Sequence, residues 1–299
     1  MLPMLEVSFP VLKNYTTMRI GGTASHGYIL DNKEDIKFIP DLVSTYGKQL
    51  VVIGNGSNLL VEDGELQIVP LKIAIKTSPE IMDEHDGKVF VKVGAGTKLA
   101  TFSGFALRHG LSGLEGLCGI PATVGGALAM NAGSRGCEIC DLVEEITIAT
   151  RKGFLRLKKS QIFPTYRKLS LPSAEPGWVI VEAIFGLTRR AKDGIFRDMN
   201  FNFLTKKSRQ PVTSRTAGCV FKNPSPTVSA GKLLDMAGFR GKKYAGMAFS
   251  GLHANFLVNE GTGSARAAFE LISQAQEKVW QIFGYKLELE VKIIPCRLS

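Results

Sequence analysis

The cysteine of the stretch TAGCVFKNP, Cys219, is the residue of this sequence whose chemistry has the most possible uses. Its thiol could be a buried core group, a nucleophile, a metal ligand or a proton donor. A thiol with a pKa of about 8.5 is mostly protonated at neutral pH and can give a proton to a reacting carbon, whereas a nucleophile needs a depressed pKa. The neighbouring residue types alone leave all four roles open.

Two other cysteine arrangements could also do chemistry. Cys137 and Cys140 stand at C-x-x-C spacing, which occurs in redox pairs and in halves of zinc sites. The sequence has no second C-x-x-C and no paired histidines to complete a tetrahedral site, so we expect no metal and two small structural residues. Cys219 with His253 would suit a cysteine hydrolase, but no Asn or Asp is marked that would orient the histidine.

The stretch VVIGNGSNLLV holds Gly54 and Gly56 in a turn between two apolar runs. It lacks the third glycine of a dinucleotide fingerprint, and a strand rather than a helix is expected after it. Such a turn can be a plain tight turn, or it can curve successive backbone N–H groups around an anion. Ser57 and Asn58 would add side-chain donors to an anion site.

A second glycine-rich stretch, GLEGLCGIPATVGGALAMNAGSRG, has almost no long side chains. Such a run packs a core poorly and costs backbone entropy, which is understandable if a large flat ligand lies against its backbone. Two such cradles close together would suit a dinucleotide with a pyrophosphate and a planar ring system. Residues 116–134 carry no charge, but the glycines and Pro121 argue against a membrane-spanning helix.

The composition is that of a globular protein of roughly two domains. The chain has 299 residues, 44% of them hydrophobic and 21% charged. Its net charge of +10 comes from scattered basic residues without interleaved aromatic side chains, so we expect anionic small ligands and no nucleic acid. Five cysteines, an odd number, favour a reducing compartment over a disulfide framework. The N-terminus has no signal-peptide pattern, and we expect a cytoplasmic protein that does not insert into a membrane.

Helices are predicted at four places. Asn32 and Gly47 would bound the first, and Thr97 and Gly110 the second. A third is predicted over 194–209, just before the polar stretch QPVTSRT, which is a candidate domain boundary. The fourth would begin after Ser264, with an apolar face formed by Ala268, Ile272, Ala275, Val279 and Ile282.

Strands are predicted on both sides of the Gly54 turn, over KVFVKVG, and in short pieces over 142–190. The segment KLELEVKII alternates strictly, which predicts a strand with Leu287, Leu289, Val291 and Ile293 on one face and Glu290 on the other. Strands and helices follow each other in irregular order, which indicates the α+β class.

Seven stretches together resemble the UDP-N-acetylenolpyruvoylglucosamine reductases, flavoenzymes that make UDP-N-acetylmuramate for peptidoglycan. In chain order they are NYTTMRIGGTA, VVIGNGSNLLVED, GLCGIPATVGGALAMNAG, TAGCVFKNP, AGKLLDMAG, SGLHANFLVN and LELEVKII. They are spread over nearly the whole chain, from residue 14 to residue 294, and resemble the shorter form of the family. The resemblance implies an α+β fold with an FAD-binding region of the vanillyl-alcohol-oxidase (PCMH) type in two subdomains, 1–71 and 72–207. A small α+β substrate domain would span 208–285, and a returning strand, 286–299, would complete the second subdomain.

The resemblance also implies a reaction and its residues. FAD, bound without a covalent link, would take a hydride from NADPH and deliver it to the enolpyruvyl carbon of a UDP-sugar. The implied catalytic residues are Arg167, for the carboxylate and the developing charge, Cys219 as proton donor, and Glu290 as their partner.

The implied cofactor contacts are Gly54, Asn55, Gly56, Ser57, Asn58, Gly119, Pro121, Thr123, Gly125, Gly126, Asn131 and Gly133. The implied substrate contacts are Tyr166, Lys222, Asn223, Lys232, His253 and Asn255. We expect a monomer whose partners are the UDP-sugar enolpyruvate and NADPH. A non-catalytic flavin- or nucleotide-binding protein and the cysteine hydrolase remain as alternatives.

Overall fold

The computed structural model describes residues 5–8, 10–75, 77–134, 136–172, 174–175 and 177–295. The last four residues of the predicted returning segment 286–299 therefore lie outside the described residues. The helices are α1 (Ile39–Tyr46), α2 (Leu99–Arg108), α3 (Val124–Ala129), α4 (Lys192–Arg209), α5 (Ala230–Met236) and α6 (Ala265–Phe283). Short 3-10 helices lie at Leu12–Tyr15, Lys33–Phe38, Gly47–Gln49, Glu115–Leu117, Ile139–Leu142 and Lys159–Gln161.

The strands of the first half of the chain are β1 (Leu5–Ser8), β2 (Thr23–Ala24), β3 (His26–Leu30), β4 (Leu50–Ile53), β5 (Leu59–Val61), β6 (Glu65–Leu66), β7 (Val69–Ile73), β8 (Glu80–His85), β9 (Lys88–Gly94), β10 (Leu111–Ser112), β11 (Gly133–Ser134) and β12 (Cys137–Glu138). Those of the second half are β13 (Val143–Thr150), β14 (Gly153–Lys158), β15 (Phe163–Thr165), β16 (Lys168–Ser170), β17 (Val179–Arg189), β18 (Thr216–Cys219), β19 (Lys243–Tyr244), β20 (Met247–Phe249), β21 (Phe256–Asn259) and β22 (Lys292–Ile294). Helices and strands follow each other irregularly, so the predicted α+β class is confirmed.

The first of two compact units combines β1 with His26–Asn55 and Val69–Thr205. It contains a sheet in the order β1-β3-β7-β4, whose last three strands are parallel, and an antiparallel sheet in the order β14-β13-β17-β9-β8. The alternation of KVFVKVG works as predicted, because Val89, Val91 and Val93 of β9 are at most 1% exposed. The central strand β17 is apolar along most of its length, as expected of a strand buried on both faces.

The second compact unit combines Gly56–Ile68 with residues 10–25 and 206–295. Its main sheet has the order β18-β21-β20-β19, and α5 and α6 enclose a core with it. Ser264 caps α6 as predicted, by accepting a hydrogen bond from the amide of Ala267, and Gly284 ends the helix in the left-handed conformation. Ile282 was wrongly assigned to the apolar face, because it is 47% exposed in the last turn of the helix.

Two other predicted elements differ in the structure. Thr97 does not cap α2: Lys98 is the N-cap residue, and the Thr97 hydroxyl donates instead to the carbonyl of Thr77. The alternating segment 287–293 forms regular strand only at β22. Its backbone changes partners on the way, pairing first with residues 220–222 and then with β5, so that no single ladder runs along it.

Over the described residues, no helix combines the length and the apolar character that crossing a lipid bilayer requires. Among the same residues, no group of three or more His, Cys, Asp or Glu side chains is arranged to hold a metal ion.

Asn259, 4% exposed, joins the segment at Met18 to the turn after β21 through its side chain. Its amide nitrogen donates to the carbonyl of Met18 (3.0 Å), and its oxygen accepts from the amides of Gly261 (2.8 Å) and Gly263 (3.0 Å).

Replacing Asn259 with alanine should lower the free energy of unfolding in urea by about 2–4 kcal/mol, since several buried polar groups lose their partner. The matched control is Asn200→Ala on the exposed side of α4, which should change it by less than about 0.5 kcal/mol. Equal effects of the two substitutions would contradict this role of Asn259.

Candidate active site

The two glycine-rich loops meet in the first unit. The side-chain amide of Asn55 donates to the carbonyl of Pro121 at 2.7 Å, and a Cβ at Gly54 would lie 2.6 Å from the hydroxyl oxygen of Thr123. Neither backbone N–H of Gly54 and Asn55 donates a hydrogen bond to another described residue. The loops thus lie side by side, with backbone donors available to an anion.

Most of these glycines are required by packing within the protein, which the sequence did not reveal. A Cβ at Gly125 would lie 2.8 Å from the Cβ of Ala95, and one at Gly133 would lie 2.7 Å from the carbonyl oxygen of Cys137. Gly119 has a φ of +81°, a conformation that side chains rarely adopt. A Cβ at Gly126 meets only the Thr123 hydroxyl, at 3.3 Å. Gly126 is therefore the position in this loop where the lack of a side chain leaves room for a ligand.

Lys72 is a charged residue of this region that the sequence analysis missed. Its ammonium group donates to the carbonyl of Gly54, and no described acidic residue forms an ion pair with it. Burial lowers the pKa of Lys72, and the nearby ammonium group of Lys98 lowers it further. The signal available in the sequence was a single lysine inside the apolar run IVPLKIAI. An uncompensated, half-buried cation next to a glycine loop favours an anionic ligand.

A cavity of about 240 Å³ opens in the first unit next to the loops. Its apolar lining includes Ile36, Ile39, Ile73, Ile75, Ala95 and Val181. Polar side chains also line it, namely Lys33, Thr77, Ser78, Glu80, Lys92 and Glu182. The carbonyl of Ala95 accepts the amide N–H of Gly125 at 2.9 Å, and Ile73 follows Lys72 in β7, so the cavity adjoins both loops. A cavity lined by both apolar and polar side chains can receive a small molecule that has an apolar ring and polar edges.

Arg167 occupies the turn between β15 and β16 with a φ of +60°, which is rare for a residue with a side chain. Its guanidinium donates to the carbonyl of Gly133 at 3.1 Å and lies 3.8 Å from the carboxylate of Glu138. It also packs over the ring of Tyr166, 4.8 Å from the ring centroid. Asn131 is 1% exposed and its side chain contacts Glu138, Thr165 and Cys140. Asn131 thus supports the segment around Arg167 from inside the protein.

In the second unit, Cys219 ends β18 at an irregularity in the pairing with β21. Gly218 has a φ of +82° there, which explains the glycine before the cysteine. The hydroxyl of Thr17 donates to the carbonyl of Thr216 at 2.6 Å and so fixes the start of the strand. A bulge of this kind redirects the side chain that follows it.

Glu290 lies next to the Cys219 strand in the same unit. Its amide N–H donates to the carbonyl of Val220 at 2.8 Å, and its carbonyl accepts the side-chain amide of Asn58 at 3.1 Å. A Cβ at Gly56 would overlap the carbonyl oxygen of Tyr15, so this glycine is required by packing. The structure therefore brings Cys219, Glu290 and Asn58 together in the second unit, whereas Arg167 belongs to the first.

The predicted substrate contacts have diverse environments. Asn255 is 2% exposed, and its side chain donates to the carbonyl (2.8 Å) and accepts from the amide (3.0 Å) of Phe221. Asn223 accepts from the amide of Ala230, and the ammonium of Lys222 lies 3.2 Å from Glu288. Lys232 is exposed on α5. Asn255 thus fixes the backbone at Phe221, and its contact with the substrate stays a prediction.

His253 lies beside the start of α5, where its ring would be 3.1 Å from a Cβ at Gly231. Its Nδ1 accepts the amide N–H of Asn255 at 3.2 Å, which leaves the ring proton of the neutral form on Nε2. Burial lowers the pKa of His253, and the charge of Arg240 lowers it further. Arg240 in turn is held by both carboxylate oxygens of Asp235 at 2.6 Å. His253 is therefore a neutral hydrogen-bond donor at neutral pH.

The C-x-x-C cysteines are part of the packed interior of the first unit. The thiol of Cys137 donates to the carbonyl of Gly113 at 3.4 Å, and Cys140 is 5% exposed. Burial raises the pKa of Cys140 to about 12, and Asp141 and Glu138 add to the effect. A thiol so resistant to ionisation is a poor redox group.

Two sequence-family models match the chain. The C-terminal domain of UDP-N-acetylenolpyruvoylglucosamine reductase matches residues 210–294, and an FAD binding domain matches residues 26–157. The predictions of an FAD cofactor and of an FAD-binding region of the vanillyl-alcohol-oxidase type are confirmed.

Full-length relatives carry the same description. The UDP-N-acetylenolpyruvoylglucosamine reductase of Oleidesulfovibrio alaskensis is 44% identical over 97% of this chain and 98% of its own. That of Bacillus subtilis is 34% identical over 95% of this chain and 92% of its own. The crystal structure of the UDP-N-acetylenolpyruvylglucosamine reductase from Thermus caldophilus covers 99% of this chain and 100% of its own, with a TM-score of 0.81 and 34% identity.

Residues of the first unit fit FAD. Its diphosphate needs backbone donors and positive charge, which the amides of Gly54 and Asn55 and the ammonium of Lys72 offer. Gly126 leaves space at the loop, and the adjoining cavity is large enough for a heteroaromatic ring.

Replacing Gly126 with alanine should reduce the FAD content of the purified protein without lowering its melting temperature. Alanine is favoured over glycine inside a helix by about 1 kcal/mol, so the fold should not suffer. Gly104→Ala, also inside a helix, is the matched control and should keep its FAD. Gly56→Ala should lower the melting temperature, since its Cβ has no space. Full FAD content in Gly126→Ala would exclude a cradle at this position.

Replacing Lys72 with methionine should raise the dissociation constant for FAD at least about tenfold, as loss of one charge-assisted hydrogen bond predicts. The apoprotein should be no less stable, since a half-buried charge without an acidic partner is removed. Flavin fluorescence quenching and apoprotein melting measure the two quantities. Lys88→Met, which breaks a 2.7 Å ion pair with Glu144, is the control and should leave FAD binding unchanged. A destabilised apoprotein with unchanged FAD affinity would make Lys72 a structural residue.

Proposed function

Because the chain belongs to the UDP-N-acetylenolpyruvoylglucosamine reductase family, we propose that it reduces UDP-N-acetylglucosamine enolpyruvate to UDP-N-acetylmuramate. It is an FAD-dependent oxidoreductase of peptidoglycan precursor synthesis, with NADPH as hydride donor. The observation that carries this conclusion is the match of full-length reductases over nearly the whole chain. Membership of this family supports the predicted reductase and not the two alternatives, a cysteine hydrolase and a non-catalytic flavin-binding protein.

When bound, FAD supplies the chemistry that carries a hydride from NADPH to the enolpyruvyl carbon. We expect Gly54, Asn55 and Gly126 to border its diphosphate and Lys72 to balance the charge. We expect the cavity next to Ala95 to receive the adenine, because it adjoins both loops and has an apolar lining with a polar edge.

Three residues are proposed to act on the substrate. Hydride addition to an enol ether conjugated to a carboxylate creates enolate-like charge, which a guanidinium stabilises, and Arg167 is the residue assigned to it. The thiol of Cys219 would then protonate the adjacent carbon, because a neutral thiol holds a transferable proton at neutral pH. Glu290, whose backbone is hydrogen-bonded next to Cys219, would assist at the same carbon or carboxylate.

The division into an FAD-binding region, 1–71 and 72–207, and a substrate domain, 208–285, remains our proposal. It is supported by the positions of the matched family models, 26–157 for FAD binding and 210–294 for the C-terminal domain. The same holds for a non-covalent FAD, since the sequence resemblance marks no histidine or cysteine at a linking position.

We also propose that the protein works as a monomer in the cytoplasm, without nucleic-acid partners or membrane insertion. A reducing compartment agrees with Cys118, Cys137, Cys140 and Cys219, which are thiols rather than disulfides. NADPH and nucleotide sugars are also cytoplasmic metabolites. The +10 net charge is accounted for by two anionic ligands and an anionic cofactor.

The function is tested by anaerobic flavin absorbance. NADPH should bleach the yellow protein, and the enolpyruvyl substrate should restore the colour. In Cys219→Ala the bleaching should stay near normal, and the return of colour should slow by about 10²–10⁴-fold, the usual contribution of a general acid. Cys219→Ser should keep part of the rate, because a hydroxyl can still donate.

The control is Cys140→Ala, which should lower stability and leave the ratio of the two half-reactions unchanged. Equal loss of both half-reactions in folded Cys219→Ala would refute the proton-donor role. Absence of bleaching in the native protein would refute the reductase itself.

A further inference from the structure

Glu138 has a carboxylate that is fixed independently of Arg167. One oxygen accepts the side-chain amide of Asn131 at 2.5 Å, and the carboxylate also caps the 3-10 helix Ile139–Leu142 through the amide of Asp141. Asn131 is itself buried and tied to the backbone of Thr165 and Cys140. The charge of Glu138 thus has a defined position within the first unit.

Arg167 contacts this same element with both terminal nitrogens. One nitrogen donates to the carbonyl of Gly133 at 3.1 Å, and the other lies 3.8 Å from the Glu138 carboxylate. Gly133 and Glu138 are paired residues of the β11–β12 hairpin. The guanidinium, whose side chain is 18% exposed, is therefore held against one hairpin while its backbone sits in another, the β15–β16 turn.

We propose that Glu138 is a positioning residue for Arg167 in the reduction of the enolpyruvyl substrate, which rests on the proposed function. An arginine side chain has many rotamers, and a guanidinium that must meet a carboxylate in two parallel hydrogen bonds benefits from orientation beforehand. The Glu138 carboxylate and the Gly133 carbonyl set that orientation, and Asn131 holds Glu138. In this proposal, Asn131 holds Glu138, Glu138 orients Arg167, and Arg167 binds the carboxylate of the substrate.

A competing interpretation makes the Glu138–Arg167 pair an ordinary partly exposed ion pair with little energetic value. The two interpretations predict different effects of removing the Glu138 charge. If Glu138 only neutralised Arg167, removing its charge would strengthen the attraction of Arg167 for an anionic substrate. If Glu138 orients Arg167, removing its charge slows the step in which Arg167 takes part.

Glu138→Gln separates the two, because glutamine keeps an acceptor for Asn131 and for the Asp141 amide but loses the charge. In the FAD-loaded protein, we expect reoxidation by the enolpyruvyl substrate to slow by about 10–100-fold, the usual cost of a misplaced reacting group. Bleaching by NADPH should stay within about twofold, and the melting temperature should be unchanged. The matched control is Glu175→Gln, which loses exposed ion pairs with Arg151 and Lys152 and should affect neither half-reaction.

A double-mutant cycle with Arg167→Lys completes the experiment. If Glu138 acts through Arg167, Glu138→Gln should cost little further when added to Arg167→Lys. The proposal is overturned if Glu138→Gln leaves reoxidation unchanged, tightens substrate binding, or slows both half-reactions equally. If Arg167→Lys itself has no effect on reoxidation, the assignment of Arg167 fails, whereas slow reoxidation in Arg167→Lys with a normal Glu138→Gln overturns only the role of Glu138.

Discussion

The contact between the loop at Gly54 and the loop at 119–126 is the constraint on which the proposed cofactor site depends. Asn55 bridges to the carbonyl of Pro121, and Thr123 fills the space next to Gly54 that any side chain would need. Because Gly54 has no side chain, the two loops approach each other closely, and the backbone N–H groups of Gly54 and Asn55 donate to no other described residue. We propose that Lys72 adds the positive charge of this site, and its burial without a described acidic partner is the energetic cost of that arrangement.

In the second unit, buried side-chain amides fix the backbone through hydrogen bonds. Asn255 bonds both backbone groups of Phe221, and Asn259 bonds the carbonyl of Met18 and two amides of the turn after β21. Each such amide is buried at a cost that only complete hydrogen bonding offsets, so it tolerates one backbone arrangement. That arrangement carries Cys219 on its bulged strand and Glu290 on the segment paired with it. The catalytic assignment of the two residues rests on this shared backbone.

Cations have different surroundings at different places in the fold. Lys72 has no described acidic partner, whereas Arg167 has Glu138 and Arg240 has Asp235. A cation left without an acid next to a glycine loop prepares for an anionic cofactor, and a cation held by a carboxylate is oriented or tied down. The +10 net charge seen in the sequence is thus spread over groups with different tasks.

Much of this protein followed from the sequence because the deciding signals were local. The caps of α6, the alternation of β9 and the helix α4 depend on near neighbours, and the glycine loops and Cys219 were recognisable from ordered motifs. The errors also have local causes. Thr97 fitted a capping pattern, but Lys98 is the N-cap residue of α2. Ile282 fitted the periodicity of the apolar face, but it lies exposed at the end of α6.

Tertiary structure decided what distant segments do to each other. Only the fold shows that a side chain at Gly56 would overlap Tyr15, or that the Asn131 side chain contacts Glu138. Lys72 became visible through its contact with Gly54, which directly follows the neighbouring strand β4. Periodicity and capping act over a few residues, whereas burial and hydrogen-bond partners depend on which strands pair. The sequence therefore determined the chemistry available, and the pairing of strands decided which groups could use it.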